Sequence, residues 1–196
     1  MKYIVYLLLA MCIVSCTTKE DLSDADLNTL TGNAVMEYWK TKDTRPLQKV
    51  YDTLKYNKEF REQGLTKNNY VTLYPVFFNL KKFDELDKLL GKDIGINEYT
   101  KLNARNIVRF YANRNKNSEK AKSALQDNLH RIKDTLGKSP KDSLLYLDYF
   151  TNRRMMAGTE QTLKEIDSME AVNHNYSELF YDAVLRDVIK SYPDDL

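Results

Sequence analysis

Past residue 16 the chain has no cysteine, because its only two, Cys12 and Cys16, lie near the N-terminus of the 196 residues. The remaining length therefore offers no thiol for a disulfide, a metal or a nucleophile, and any stable fold must rest on a hydrophobic core. Histidine is equally scarce. His130 and His174 lie on separate elements and form no recognisable metal set, so neither a metal nor a cofactor is expected, and both read as surface or capping residues. With 6 Gly and 4 Pro there are few chain breakers, which argues against a loop-rich sheet protein. No segment alternates with period two for long enough to argue a strand. An excess of one charge is also missing: 30 Lys and Arg against 28 acids leave +2, which excludes the basic footprint of a general nucleic-acid binder.

What is present begins at the N-terminus. Met1-Lys2 is a short basic start, and 3–14 is an almost unbroken apolar run. That run suits a signal-peptide core of roughly 7–15 residues and falls short of the roughly 20 needed to span a bilayer. It ends in Ile13-Val14-Ser15-Cys16 and gives way to Thr17-Thr18-Lys19-Glu20-Asp21. The first four of these residues resemble the lipobox of bacterial lipoproteins. The resemblance implies cleavage of 1–15, acylation at Cys16 and an outer-membrane location, because several buried acyl chains anchor durably where one does not. The Lys-plus-acid cluster that follows resembles the export signal of Bacteroidota surface lipoproteins. An ordinary secretory signal is the alternative. Residues 16–26 then read as a flexible polar tether.

From Leu27 onward the apolar spacing is helical, giving one all-α domain over 27–196. Start and stop signals divide it into helices at about 27–41, 45–59, 67–80, 83–90, 98–114, 118–136, 140–155, 160–171 and 176–191. Thr66, Asn97 and Asn175 are read as starts. Ser139-Pro140 with Asp142 reads as a capping box, while Gly91, Gly137 and Gly158 mark stops and Pro193 closes the last helix. Tyr70 to Tyr74 is β-prone in composition, but Thr66 before it and the Phe77, Leu80, Phe83, Leu86 series after it favour helix.

Phe77, Phe83, Leu86 and Leu90 have the spacing of an aromatic late in one helix, a second opening the next, a residue three further on and a large one four beyond that. This resembles the heart of a tetratricopeptide (TPR) unit, with Leu86 standing where the family usually has Ala. Tyr38, Leu47, Tyr51 and Leu54 echo the spacing upstream, and Tyr111, Ala121 and Leu125 echo it downstream with one residue inserted. The anchors Tyr38, Phe77, Tyr111 and Phe150 recur at 39, 34 and 39 residues. The resemblance implies a TPR-like solenoid of about four helical hairpins, in which each hairpin covers the apolar face of its neighbour. Tyr176, Leu179, Phe180, Val184 and Val188 would make the final helix its cap.

Few residues point to chemistry. Gly137-Lys138-Ser139 mimics the end of a phosphate-binding loop, but Ile132 stands where the earlier Gly belongs. No nucleophile elbow and no paired-carboxylate spacing stand out, so no catalytic residue is expected. Arg105, Arg109 and Asn113 share one helix face, where two guanidiniums can clamp an anion; the competing reading pairs Arg109 with Asp148 or another acid of the next repeat. Trp39 and Phe78 follow anchor aromatics by one residue and are expected either in the groove or in the packing between repeats. Asp52-Thr53-Leu54, Asp134-Thr135-Leu136, Asp142-Ser143-Leu144 and Asp167-Ser168-Met169 resemble envelope glycosylation sites. Together these features lead to the expectation of a lipid-anchored scaffold for a protein or peptide partner in the envelope, within an outer-membrane assembly. Glycan or nutrient capture is the alternative, and a hydrolytic enzyme the weakest reading.

Overall fold

The computed structural model describes residues 22–173 and 176–191. The readings that rest on Cys16, the signal segment, most of the tether, His174, Asn175 and Pro193 lie outside the described residues. Within them all regular secondary structure is helical, apart from one isolated bridge between Leu22 and Asn57. Two compact units divide the chain at Leu65 and Thr66.

In the first unit, α1 (Asp24–Thr41) starts at Ser23, whose Oγ accepts the Asp26 N–H at 3.2 Å. It buries Leu27, Thr31, Ala34 and Val35, a helical stripe that packs on α2 (Arg45–Thr53). The single helix expected over 45–59 is broken. A 3₁₀ turn covers Leu54–Tyr56, and α3 (Lys58–Gln63) starts afresh. Asn57, almost fully buried, causes the break. Its Oδ1 caps the Phe60 N–H at 2.7 Å, while its Nδ2 donates to the Leu22 carbonyl at 2.8 Å and to Asp24 Oδ1 at 2.7 Å. These long-range bonds hold residue 57 in an extended conformation, which a continuous helix cannot offer.

In the second unit, α4 (Tyr70–Asn79) and α5 (Phe83–Leu90) form the hairpin around Phe77, Leu86 and Leu90, all three completely buried. Thr66 is not the cap of α4. Asn69 occupies that place, and its Oδ1 accepts the N–H of Thr66. Next come α6 (Glu98–Asn113), α7 (Ser118–Lys138), α8 (Ser143–Ala157) and α9 (Thr159–Val172). Asn97 and Asn117 cap α6 and α7 through their side-chain oxygens, at 2.7 and 3.0 Å. The expected start at Ser139-Pro140 is displaced. Ser139 instead closes α7, which runs through Gly137, and Asp142 caps α8 by accepting the Leu144 and Leu145 N–H groups. A carboxylate at that end also meets the positive pole of the helix. Gly158, at φ +83°, makes the turn into α9 in a conformation other residues rarely adopt.

Each helix from α4 to α9 packs on the next in chain order. The chain then continues as a π-helical segment, Phe180–Arg186, running into α10 (Asp187–Ser191). The buried stripe there is Phe180, Tyr181, Leu185 and Ile189, joined to Phe150 and Ile166. Tyr176 and Phe180 of the expected stripe do pack in this core, but Leu179 is 72% exposed, Val184 lies at the surface, and Leu185 and Ile189 are buried in place of Val184 and Val188. The register turns on Tyr181, since 181, 185 and 189 follow one another at i, i+4 and i+8 and set the buried face one position past Val184 and Val188.

Candidate functional site

The arginine face on α6 forms as a local cluster. Arg105 and Arg109 both aim Nε at one oxygen of Asp87 on α5, at 2.7 and 2.9 Å. Their acid belongs to the preceding helix and not to the next repeat. Asp148 is engaged elsewhere, accepting the Tyr99 hydroxyl at 2.8 Å. Burial pushes the Asp148 carboxyl up, partly offset by that bond, and the same burial raises the Tyr99 phenol. Asn113 turns back along its own helix and donates to the Arg109 carbonyl at 2.7 Å. Gly91 makes room for Arg105, since a Cβ there would stand 3.0 Å from its Nη2.

The two aromatic candidates part company. Phe78 sits among Tyr74, Phe83 and Tyr111, with ring centroids 5.0–5.5 Å away, so it serves the packing of α4, α5 and α6. Trp39, in the first unit, is 57% exposed beside Met36 on the same face of α1.

A buried amide network ties α6, α7 and α8 together. Asn128 of α7, 1% exposed, accepts from Asn106 Nδ2 at 3.0 Å and donates to Asn103 Oδ1 and Asn152 Oδ1 at 2.7 and 3.0 Å. Asn152 also donates to the Asp148 carbonyl at 2.8 Å. A buried amide is tolerable only when its donors and acceptors are met, and these are met by one another.

Two clefts flank α7. One, of about 380 Å³, lies over α6 between α5 and α7, where Asp84, Asp87, Arg109, Lys116, Lys120 and Asp127 line it. Its three acids and three bases balance in number. The other is larger, about 660 Å³, and lies over α8 between α7 and α9. Leu129, Tyr149, Phe150, Met156 and Met169 make most of its exposed lining apolar. At its rim Arg153 grips Glu165 with two N–H groups, one through Nε at 2.8 Å and one through Nη2. The Arg153 bond holds the Glu165 carboxyl below its ordinary range, against the effect of burial, and raises the guanidinium in return. Lys133 lies 5.7 Å from the Tyr149 ring centroid, and His130 stands 3.5 Å from Asp134.

Residue-by-residue reading of the chain did not pick out this second cleft. A signal was present. Gln126, Leu129, His130 and Lys133 recur at i, i+3, i+4 and i+7 on α7, and Glu165, Ser168 and Met169 recur likewise on α9. Phe150 concealed the pattern, because a buried anchor is also the floor of a surface feature.

Chemically the larger cleft offers apolar contact area and, with Lys133 and Arg153 set against Glu165, one net positive charge. Among the described residues no group of three or more His, Cys, Asp or Glu is placed to hold a metal ion. No helix among them is long and apolar enough to cross a membrane. No family model matches the chain, and no curated protein and no solved structure matches it either.

Proposed function

We propose that the chain is a lipid-anchored envelope protein whose second unit is a TPR-like stack of hairpins that binds a protein or peptide within an outer-membrane assembly. One observation carries the reading: an apolar-floored cleft of about 660 Å³ lies across three successive helices of a chain-ordered stack. Its size falls in the range of roughly 300–1,000 Å³ typical of binding clefts. Helices hold the lining side chains in place, so little order has to be gained when a partner docks. The lipobox resemblance at Cys16 supports the anchor. Glycan capture is less favoured, since a sugar needs several exposed rings arranged as a platform. In the larger cleft Phe150 is buried and Tyr149 is only partly open.

Two measurements test the proposal. Metabolic labelling with palmitate should mark the wild-type protein and spare a Cys16→Ala variant; equal labelling of both contradicts the anchor. Tagged protein purified from detergent-solubilised membranes should carry a stoichiometric protein partner. Recovery of the chain alone contradicts the scaffold.

A further inference from the structure

We infer that the cleft over α8 receives an amphipathic peptide helix, with its apolar stripe on Met156 and Met169 and a carboxylate facing Lys133. The inference rests on the scaffold reading and specifies the form and charge of the partner.

The polar content of the cleft argues for a helix. An extended peptide would lay unpaired N–H and C=O groups against the lining, and each buried one needs a partner. The lining has few to give. Glu165 is held by Arg153 and Gln161, and Ser168 already donates to the Lys164 carbonyl. Among the described residues there is no strand, hence no sheet edge to pair with. A helix brings its backbone bonds with it and asks only for apolar contact. An oligosaccharide is worse served still, as its hydroxyls would meet a lining that is mostly carbon.

Shape and charge fit the same occupant. The α7 wall from Gln126 to Lys133 rises about 10 Å, or two helical turns, which matches apolar anchors at i, i+3 or i+4, and i+7. Met156 on the α8 floor and Met169 on the α9 wall adapt to side chains of different shape. Of the rim charges, Arg153 and Glu165 cancel, and His130 is turned towards Asp134. Lys133 leans on Tyr149 and also acts electrostatically on Glu165, so Lys133, Arg153 and Glu165 together leave one net positive charge, and a helix with Asp or Glu beside its apolar stripe is the complementary partner.

The test uses the full chain as bait for a phage-displayed random library of peptides about four helical turns long. Recovered peptides should carry apolar residues at i, i+3 or i+4, and i+7 with an adjacent acid, and become helical on binding. Ser168→Arg, an exposed change that fills the cleft, should abolish their binding without altering the far-UV circular dichroism of the protein. Lys133→Glu should weaken them about five-fold, as expected for loss and reversal of one rim charge, and should select Lys- or Arg-flanked helices in their place. Proline-rich or extended peptides, binding indifferent to both substitutions, binding of arrayed oligosaccharides at this cleft, or a homodimer dissolved by Ser168→Arg would each overturn the inference. Peptides that instead compete at Arg109 and Asn113 would overturn it while leaving the scaffold reading intact. No enrichment at all on the wild-type chain would remove both.

Discussion

The two clefts that share α7 as a wall show how one packing scheme yields surfaces of opposite character. Over α6 the charges balance in number: Asp87 takes both Arg105 and Arg109, and Lys116 and Lys120 share the lining with Asp84 and Asp127. Such a surface has little net field to offer and is easily satisfied by water. Over α8, one tight Arg153–Glu165 pair closes the rim and the rest of the lining is largely apolar. The floors differ in the same way. Asn106, which is tied to Asn128, lies beneath the first cleft, whereas Phe150, which belongs to the C-terminal core, lies beneath the second. A polar floor ties neighbouring helices through its hydrogen bonds, whereas an apolar floor is shared with the core beneath it.

That contrast can be broken from either side. The largest effect is expected at Phe150, 2% exposed and shared between core and cleft. Phe150→Ala should cost about 3–5 kcal/mol in urea unfolding, through lost burial and the void left behind. Asn128→Ala should follow at about 2–3 kcal/mol, because Asn103, Asn106 and Asn152 each lose a partner and two of the three are buried. A loss under about 0.5 kcal/mol there would mean that water replaces the amide and that the network does not pin α6 to α8.

Smaller still, Arg109→Ala should cost under about 1 kcal/mol, since that side chain is 41% exposed and Arg105 keeps Asp87 occupied. Asp87→Ala should cost more than either single arginine change, because it leaves two guanidiniums facing each other. Equal costs would show that the cluster does not act as a unit.

The smallest effects concern pH, and their signs differ between α8, which carries Asp148, and α9, which carries Glu165. The folded pKa of Glu165 is depressed, so its stabilisation is present above the unfolded carboxylate value, roughly 4.3, and is lost as pH falls through the folded one. Asp148 is raised by burial, so its contribution is present below the unfolded value, roughly 3.9, and is lost as pH rises through the folded one. Glu165→Gln should therefore flatten the acid limb of the stability profile, and Asp148→Asn should raise stability near neutrality. Chemical unfolding between pH 3 and 7 reads both, and slopes of the same sign would contradict the assignment of burial to Asp148 and pairing to Glu165.

Much of this architecture was legible locally. Asn97 and Gly158 delimit their helices as caps do elsewhere, and the Phe77, Leu86 and Leu90 spacing identifies residues that are fully buried. Failures came where a distant partner decides. Asn57 breaks a helix because Leu22 and Asp24 bind its amide, a bond that no window of neighbouring residues contains. Asp142 displaced Ser139 as a cap because α7 continued past Gly137. The terminal stripe keeps Tyr176 and Phe180 but continues through Tyr181, Leu185 and Ile189, because adjacent aromatics at 180 and 181 allow either register. Arg105 and Arg109 were correctly placed on one face, but their acid comes from α5, before them in the chain. The larger cleft was hidden because its walls come from two helices about forty residues apart, each unremarkable alone.

Site-specific photocrosslinking in the cells of origin tests most directly which of the two surfaces is used. A photoreactive residue at His130 should give a discrete adduct with a partner protein, and the same residue at Ser123, across α7 in the charged cleft, should give none. An adduct at position 123 with nothing at 130 would assign binding to the wrong face of α7 and contradict the account.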